Sequence, residues 1–386
     1  MAQDPAILLL YEVGLLIVLS SLASELFKRV GLPGLIGAIL VGVFVGGPGG
    51  LGLVTNLAVV DILAVLGAVL ILFVTGLEFE ASAFQRTGRK AFLLTTTGVA
   101  LSVLSGYLAG FALGWPDQAA LLLGIVIAPS GTSIVAAMLS EEGKVETKAG
   151  STLLTACVID DVEGVLLLTV ALGSLTRAAF SPVDLLWVGS LSVLFILAAV
   201  YIGGRLFPVL ISRFGRALSD EVLFATLLGL GLMLSFAATL VGLAAITGAF
   251  IMGAMIPYRK VGEKLAHRLI MMKEVFATIF FTSIGLSIDP YSIPGVLPIA
   301  LLILGFALAA RLAGGIIGGM LGGFHGKTLL AMAVGLAVRA EMSLIIARES
   351  VAVGIVGVEF LAVAATVVIG SMIIALPLLS KLSRLV

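Results

Sequence analysis

Apolar stretches long enough to cross a lipid bilayer follow one another along almost the whole chain. About 20 apolar residues span the hydrocarbon core of a membrane. The sequence contains thirteen such stretches, the ninth of them short: 7–27, 34–54, 57–77, 91–113, 119–139, 149–173, 185–204, 223–241, 244–256, 269–288, 296–321, 329–347 and 360–379. Charged residues make up only 11% of the chain, whereas a soluble domain carries about 25%. The sequence therefore predicts an all-α polytopic membrane protein of about thirteen transmembrane helices.

Lysine and arginine are concentrated in alternate connections between these stretches. One set of connections holds only Arg177 and Arg348, and the other holds Lys28, Arg29, Arg86, Arg89, Lys90, Lys144, Lys148, Arg205, Arg213, Arg216, Arg259, Lys260, Lys264, Arg268, Lys327, Lys381 and Arg384. Because basic residues accumulate in cytoplasmic loops, we expect a protein of the cell membrane with its N-terminus outside and its C-terminus in the cytoplasm. The N-terminal segment lacks the basic start of a cleavable signal peptide, so the first stretch is expected to be a retained helix.

A short internal repeat relates the third stretch to the tenth. Residues 72–80 (LFVTGLEFE) resemble residues 281–289 (FTSIGLSID), with Gly76 opposite Gly285. Helices seven positions apart in the chain run in opposite directions through a membrane. The repeat therefore predicts two inverted six-helix halves joined by the seventh helix, an arrangement found in many transporters.

The same alignment places two polar interruptions opposite each other. Residues 128–132 (APSGT) interrupt the fifth stretch, and residues 337–341 (AVRAE) interrupt the twelfth. Pro129 removes a backbone donor and clashes with the preceding turn, and interrupted segments in both halves of a transporter point to its transport site. Unwound carbonyls there, with the hydroxyls of Ser130 and Thr132, would bind a cation. A simple proline kink is the alternative interpretation.

Charged residues inside the apolar stretches are the candidates for function. Each costs about 2.5–3.5 kcal/mol at the centre of a bilayer. They are Asp160, Asp161, Glu163, Arg311, Arg339 and Glu341. Neighbouring helical residues point about 100° apart, so Asp160 can pair with Arg311 while Asp161 faces a cavity. A carboxylate binds either a sodium ion or a proton, so competition at Asp161, with access alternating across the membrane, is sufficient for exchange.

The other charged residues are expected to compensate charge. Glu163 shares a helix face with Asp160, and it either shares Arg311 with that residue or faces the cavity. Arg339 and Glu341 are expected to neutralise the ends of the two interrupted helices, where half-helix dipoles converge. The alternative for the whole set is a structural cluster that holds helices together.

These motifs resemble the monovalent cation:proton antiporter-2 family, most closely its bacterial and archaeal sodium/proton antiporters. The likeness covers essentially the whole chain and includes the motifs FKR at 27–29, GAILVG at 37–42, LFVTGLE at 72–78, IDD at 159–161 and RAE at 339–341. The resemblance implies a fold of crossing broken helices and Na⁺ binding at Asp161 and Asp160. In this chain Arg311 stands where the electrogenic members carry lysine. Arginine is effectively always protonated, so the number of protons moved is left open.

The resemblance also implies a division of labour between helices and a homodimer. A core that moves like an elevator would comprise residues 57–173 and 269–386. A dimerisation domain with the linker helix would comprise residues 1–56 and 185–260.

Other functions are distinguished by the residues they need. Potassium/proton antiport is the main rival, and a sodium-coupled organic-anion symporter is a more distant one, because its fold shares crossing broken helices. The sequence shows no filter-like repeat of the kind that an ion channel needs. It also shows no nucleophile–base pair and no metal set of the kind that an enzyme needs. We expect no cofactor and no nucleic-acid partner, because the net charge is zero and the chain has one cysteine and two histidines.

Overall fold

A computed structural model describes residues 5–46, 49–54, 56–78, 81–175, 219–240, 243–256 and 263–383, with the single positions 190, 194, 201 and 205. Within these residues the chain forms fourteen α-helices and no β-strand. The helices are α1 (Pro5–Arg29), α2 (Gly34–Val45), α3 (Leu57–Glu78), α4 (Ala81–Ala112), α5 (Asp117–Val126), α6 (Thr132–Glu141), α7 (Lys148–Leu175), α8 (Asp220–Leu240), α9 (Ala245–Met255), α10 (Glu263–Leu286), α11 (Ile293–Leu321), α12 (Gly326–Ala337), α13 (Glu341–Ala352) and α14 (Glu359–Ser383). The seventh predicted helix, 185–204, lies almost wholly outside the described residues.

Eight of the described segments are long and apolar enough to cross a membrane. One of them, 326–352, consists of α12 and α13 with a break between them. The helix α7 has 28 residues and carries Asp160, Asp161 and Glu163 near its middle. The predicted all-α, multi-spanning fold is confirmed.

Two predicted boundaries were wrong for physical reasons. The second stretch was predicted to be helical to residue 54, but α2 ends at Val45. The chain then turns back, with Leu51 N donating to Phe44 O over 2.8 Å, and Gly49 and Gly52 have positive φ angles that glycine adopts without strain. The fourth stretch was predicted to begin at residue 91, but α4 begins at Ala81. Hydropathy marks the apolar part of a helix, and α4 continues into a polar segment.

The helices divide into two compact units. The first unit comprises residues 1–80 and 169–290, and the second comprises residues 81–168 and 291–386. This division reflects packing within the chain. It does not test which helices move or contact a second copy, so the predicted core and dimerisation domains remain predictions.

In the first unit, two pairs of helices pack through glycines. An added Cβ on Gly76 of α3 would lie 2.0 Å from Phe250 O of α9, and one on Gly253 of α9 would lie 1.9 Å from Phe73 O. In the same way, Gly42 of α2 and Gly285 of α10 allow those two backbones to touch. The third helix of the first half, α3, thus packs on the second helix of the second half, α9. In the same way, the second helix of the first half, α2, packs on the third helix of the second half, α10. This reciprocity is what two inverted repeats require.

In the second unit, α4 packs along α11, and α14 packs against α11, α12 and α13. The closest approach of α4 and α11 is again made by glycines, because a Cβ on Gly314 would lie 2.5 Å from the Cα of Gly98. Thr97 Oγ1 donates to Gly314 O over 2.9 Å. The tight α4–α11 pair provides the surface against which α5 and α12 pack.

We predict that the substitution Gly76→Ala destabilises the protein, because its methyl group would overlap the Phe250 carbonyl. The expected cost is about 1–3 kcal/mol, as for other overpacked sites, and it is measured as a lower melting temperature in detergent. Gly229→Ala in α8 is the control, since a Cβ there meets nothing within 4 Å. Equal melting temperatures for the two variants would show that the close contact of α3 with α9 does not contribute to stability.

Candidate functional site

Two broken helices meet at the centre of the second unit. The first break separates α5 from α6 between Val126 and Thr132, and the second separates α12 from α13 between Ala337 and Glu341. Both breaks fall where the sequence predicted interruptions. The Gly131 amide of the first break donates to the Val338 carbonyl of the second over 2.8 Å. A Cβ on Gly131 would lie 2.8 Å from the Cβ of Ala340, so glycine is needed for this contact.

Arg339 lies in the second break and is completely buried. Its guanidinium donates from Nε to Ile127 O (2.8 Å), from Nη1 to Ala337 O (3.0 Å) and from Nη2 to Ala307 O (2.8 Å). Ile127 and Ala337 are at the carboxyl ends of the half-helices α5 and α12, where partial negative charge collects. One cation therefore lies at the carboxyl ends of both interrupted helices.

Asp160 and Arg311 form an ion pair in which both side chains have no exposure to solvent. Asp160 Oδ2 also accepts a hydrogen bond from the Ser130 amide over 2.7 Å. Arg311 Nε donates to Leu336 O over 3.1 Å, and Nη2 lies 3.5 Å from Thr95 Oγ1. Gly98 makes room for the guanidinium, because a Cβ there would lie 2.9 Å from Nη1. This pair links α7 and α11 to both breaks and to α4.

Asp161 points to a different partner, as expected for the next residue along a helix. Its side chain is 5% exposed, and its Oδ2 accepts a hydrogen bond from Thr132 Oγ1 over 2.8 Å. Thr132 is the first residue of α6, so this carboxylate lies at the amino end of a half-helix. Such an end carries partial positive charge that stabilises an anion. The nearby Ser130 hydroxyl is buried and has no hydrogen-bond partner in the described part of the chain.

The two remaining predicted site residues, Glu163 and Glu341, each accept a hydrogen bond from a hydroxyl group. Glu163 accepts a hydrogen bond from the Thr96 hydroxyl of α4, and its other carboxylate oxygen has no hydrogen-bond partner among the described residues. Glu341 Oε1, at the start of α13, accepts a hydrogen bond from Ser133 Oγ over 2.7 Å. The second unit thus contains every site residue that the sequence singled out.

Several contributing side chains were missed by sequence reasoning. They are Thr95 and Thr96 on α4, Ser133 on α6 and Ser371 on α14, whose Oγ accepts from the Arg339 amide over 3.1 Å. The run of three threonines at 95–97 in an otherwise apolar helix was a usable signal. The two serines had no such signal, because isolated hydroxyls are common in membrane helices, where they can hydrogen-bond to carbonyls of the preceding turn.

A buried carboxylate pair beside two crossing broken helices is the site architecture of a secondary transporter. The family model described as "Sodium/hydrogen exchanger, transmembrane" matches residues 14–382, so the chain belongs to that family. The resemblance to monovalent cation:proton antiporters is thereby confirmed. The family couples cation movement to proton movement.

Relatives in bacteria have names that agree with this family. The chain is 30% identical to the Na(+)/H(+) antiporter of Enterococcus hirae over 86% of this chain and 87% of that protein. It is 27% identical to the probable Na(+)/H(+) antiporter GerT of Bacillus cereus over 90% and 92%, respectively. It is also 27% identical to the Na(+)/H(+)-K(+) antiporter GerN of Bacillus cereus over 96% and 95%.

The fold is that of a solved antiporter. The sodium proton antiporter MjNhaP1 from Methanocaldococcus jannaschii superimposes with a TM-score of 0.76 and 18% identity, over 98% of this chain and 97% of that one. At this identity the likeness shows the fold alone.

We predict that Arg311→Met strongly destabilises the protein, because it leaves the Asp160 carboxylate buried without its cation. Breaking a buried pair in this way costs about 3–5 kcal/mol, measured as a lower melting temperature in detergent. Adding Asp160→Asn to Arg311→Met removes the uncompensated charge and should restore part of the loss.

The control for this prediction is Arg29→Met. Arg29 pairs with Glu25 on the surface, and its side chain is 75% exposed, so the expected loss is about 0–1 kcal/mol. A similar loss for Arg311→Met and Arg29→Met would contradict the importance of the buried pair.

Proposed function

We propose that the protein is a secondary antiporter that exchanges Na⁺ or Li⁺ for H⁺ across the membrane. In this proposal, Asp161 binds the cation or the proton in competition. The observation that carries the proposal is the contrast between two adjacent carboxylates. Asp160 is closed off in an ion pair with Arg311, whereas Asp161 has a hydroxyl partner and slight exposure.

The groups around Asp161 suit a small hard cation. Sodium prefers oxygen ligands, and this site offers the Asp161 carboxylate, the Thr132 hydroxyl and the Ser130 hydroxyl at the break before α6. The unwound carbonyls of the break are further ligands of this kind. We assign Asp160 a supporting role in the binding site, because its carboxylate fixes the Ser130 amide. Arg311 compensates its charge.

The remaining acidic and basic residues act as charge compensators in this proposal. Arg339 offsets the carboxyl ends of α5 and α12 through its bonds to Ile127 and Ala337. Glu341 lies at the amino end of α13, where its charge is favourable to the helix dipole. Glu163 accepts a hydrogen bond from Thr96 and adds a third carboxylate, about one turn from Asp160.

We further propose the domain movement that the sequence suggested. Residues 57–173 and 269–386 would slide as a core against residues 1–56 and 185–260, which would hold a homodimer together. The alternating distribution of basic residues supports a plasma-membrane orientation with the N-terminus outside and the C-terminus in the cytoplasm.

Potassium is the second candidate cation. GerN, which resembles this chain over 96% of its length, carries both Na⁺ and K⁺ in its name. A site built around one carboxylate and hydroxyl groups does not by itself exclude the larger ion, so the cation has to be identified by transport.

The test is exchange in liposomes that contain the purified protein and an internal pH dye. We expect sodium or lithium to drive proton movement in the wild type. The substitution Asp161→Asn removes the group that binds either ion, so exchange should fall to the level of empty liposomes. Asp117→Asn is the matched control, because Asp117 is an exposed acidic residue in the first turn of α5, and it should retain wild-type exchange.

The outcomes separate the candidates. Exchange driven only by potassium would show that potassium, and not sodium, is the transported cation, and it would leave the proposed mechanism unchanged. Exchange that persists in Asp161→Asn would contradict the role of that residue. A folded wild-type protein that moves no protons with any of the three cations would contradict antiport altogether.

A further inference from the structure

A cavity with several basic residues in its lining lies in the second unit, away from the carboxylates. Its volume is about 380 Å³, and it lies between the beginnings of α7 and α12 and the end of α14. Lys90, Lys144, Lys148 and His325 line it, and the described lining contains no aspartate or glutamate. We call it the basic cavity. Lys144 and His325 lie in connections, Lys148 begins α7 and Lys90 lies within α4. The sequence assigns all four to the cytoplasmic side.

The lysines of the basic cavity have no carboxylate partner among the residues that the structure describes. Lys90 Nζ lies 5.4 Å from the centre of the Phe324 ring, and Lys90 and Lys144 are half-buried. Partly buried like charges that converge without a counter-ion repel each other. An anion in the cavity would relieve this repulsion.

The backbone around the cavity adds to this preference for an anion. Thr147 caps the start of α7, where its Oγ1 accepts a hydrogen bond from the Gly150 amide over 3.0 Å. His325 precedes α12, which begins without a side-chain cap bond in the described structure. Thr328 in the first turn of α12 lines the cavity, so the positive end of this helix dipole borders it.

We propose that the basic cavity binds a phosphate-bearing anion, supplied either by the headgroup of an anionic phospholipid or by a soluble phosphate compound. Basic pockets between membrane helices on the cytoplasmic side suit such headgroups. Part of the lining is apolar, with Leu153, Met332 and Leu379, so it can also contact the first carbons of a lipid acyl chain. The proposal concerns a binding site and does not depend on the exchange function.

The cavity is connected to the carboxylates through two helices. Leu153 of α7 lies against Gly335 of α12, since a Cβ on that glycine would lie 2.7 Å from Leu153 Cδ2. The helix α7 carries Asp160 and Asp161, and α12 ends at the second break. An anion that joins the beginnings of these helices would stabilise their packing and, through it, the site.

The test compares the binding of defined probes to the purified protein in detergent. The probes are short-chain phosphatidylglycerol, short-chain phosphatidylcholine, inorganic phosphate and pyrophosphate, and affinity is measured from the rise in melting temperature with probe concentration. Wild type is compared with the triple variant Lys90→Gln, Lys144→Gln and Lys148→Gln. The charge-matched control is Lys28→Gln, Lys327→Gln and Lys381→Gln, because these exposed lysines do not line the cavity.

We expect at least a tenfold loss of phosphatidylglycerol affinity in the cavity variant and little change in the control variant. Binding of phosphatidylglycerol alone identifies a lipid headgroup as the source, and binding of phosphate or pyrophosphate identifies a soluble one. Equal affinities in the two triple variants would overturn the proposal, as would a wild type that binds none of the anionic probes. If the cavity variant does not fold, replacing the same lysines with arginine should keep the charge and the binding.

Discussion

The carboxylate of Asp160 is the point at which the helices of the second unit are joined. It accepts the Ser130 amide of the first break and pairs with Arg311 on α11, and Arg311 in turn reaches the last turn of α12 and the hydroxyl of Thr95 on α4. A buried charge without such partners would cost several kcal/mol. The pair therefore makes the arrangement of these helices specific, and it leaves the neighbouring Asp161 as the carboxylate with a different environment.

The two inverted halves use the same geometry with different chemistry. The register that aligns Gly76 with Gly285 also aligns Ser130 with Arg339. In the first half, the amide of Ser130 donates to a carboxylate of the following helix; in the second, the amide of Arg339 donates to the Ser371 hydroxyl of the following helix. The first half thus contributes the carboxylates of α7. The second half contributes Arg339, whose charge offsets the carboxyl ends of the half-helices. A symmetric scaffold in this way contains an asymmetric cluster of charged residues.

Much of this architecture is predictable from the sequence because its causes are local. Spans follow from hydropathy, the first break follows from Pro129, and the placement of two charges within an apolar segment marks the second break at Arg339 and Glu341. The end of α2 at Val45 was missed because apolar composition continues to residue 54 while the glycines of that segment end the helix. Partners such as Thr96 for Glu163 and Ser133 for Glu341 depend on which helices pack together, and no local pattern contains that information.

Competition between a cation and a proton for Asp161 is the central claim, and sodium binding at equilibrium tests it most directly. Titration calorimetry of the purified protein over a series of pH values gives the apparent Kd for Na⁺. If one proton and one cation compete for the same carboxylate, the Kd rises about tenfold for each unit of falling pH on the acid side, and Asp161→Asn binds no sodium. A Kd that is independent of pH, or unchanged sodium binding in Asp161→Asn, would contradict the account.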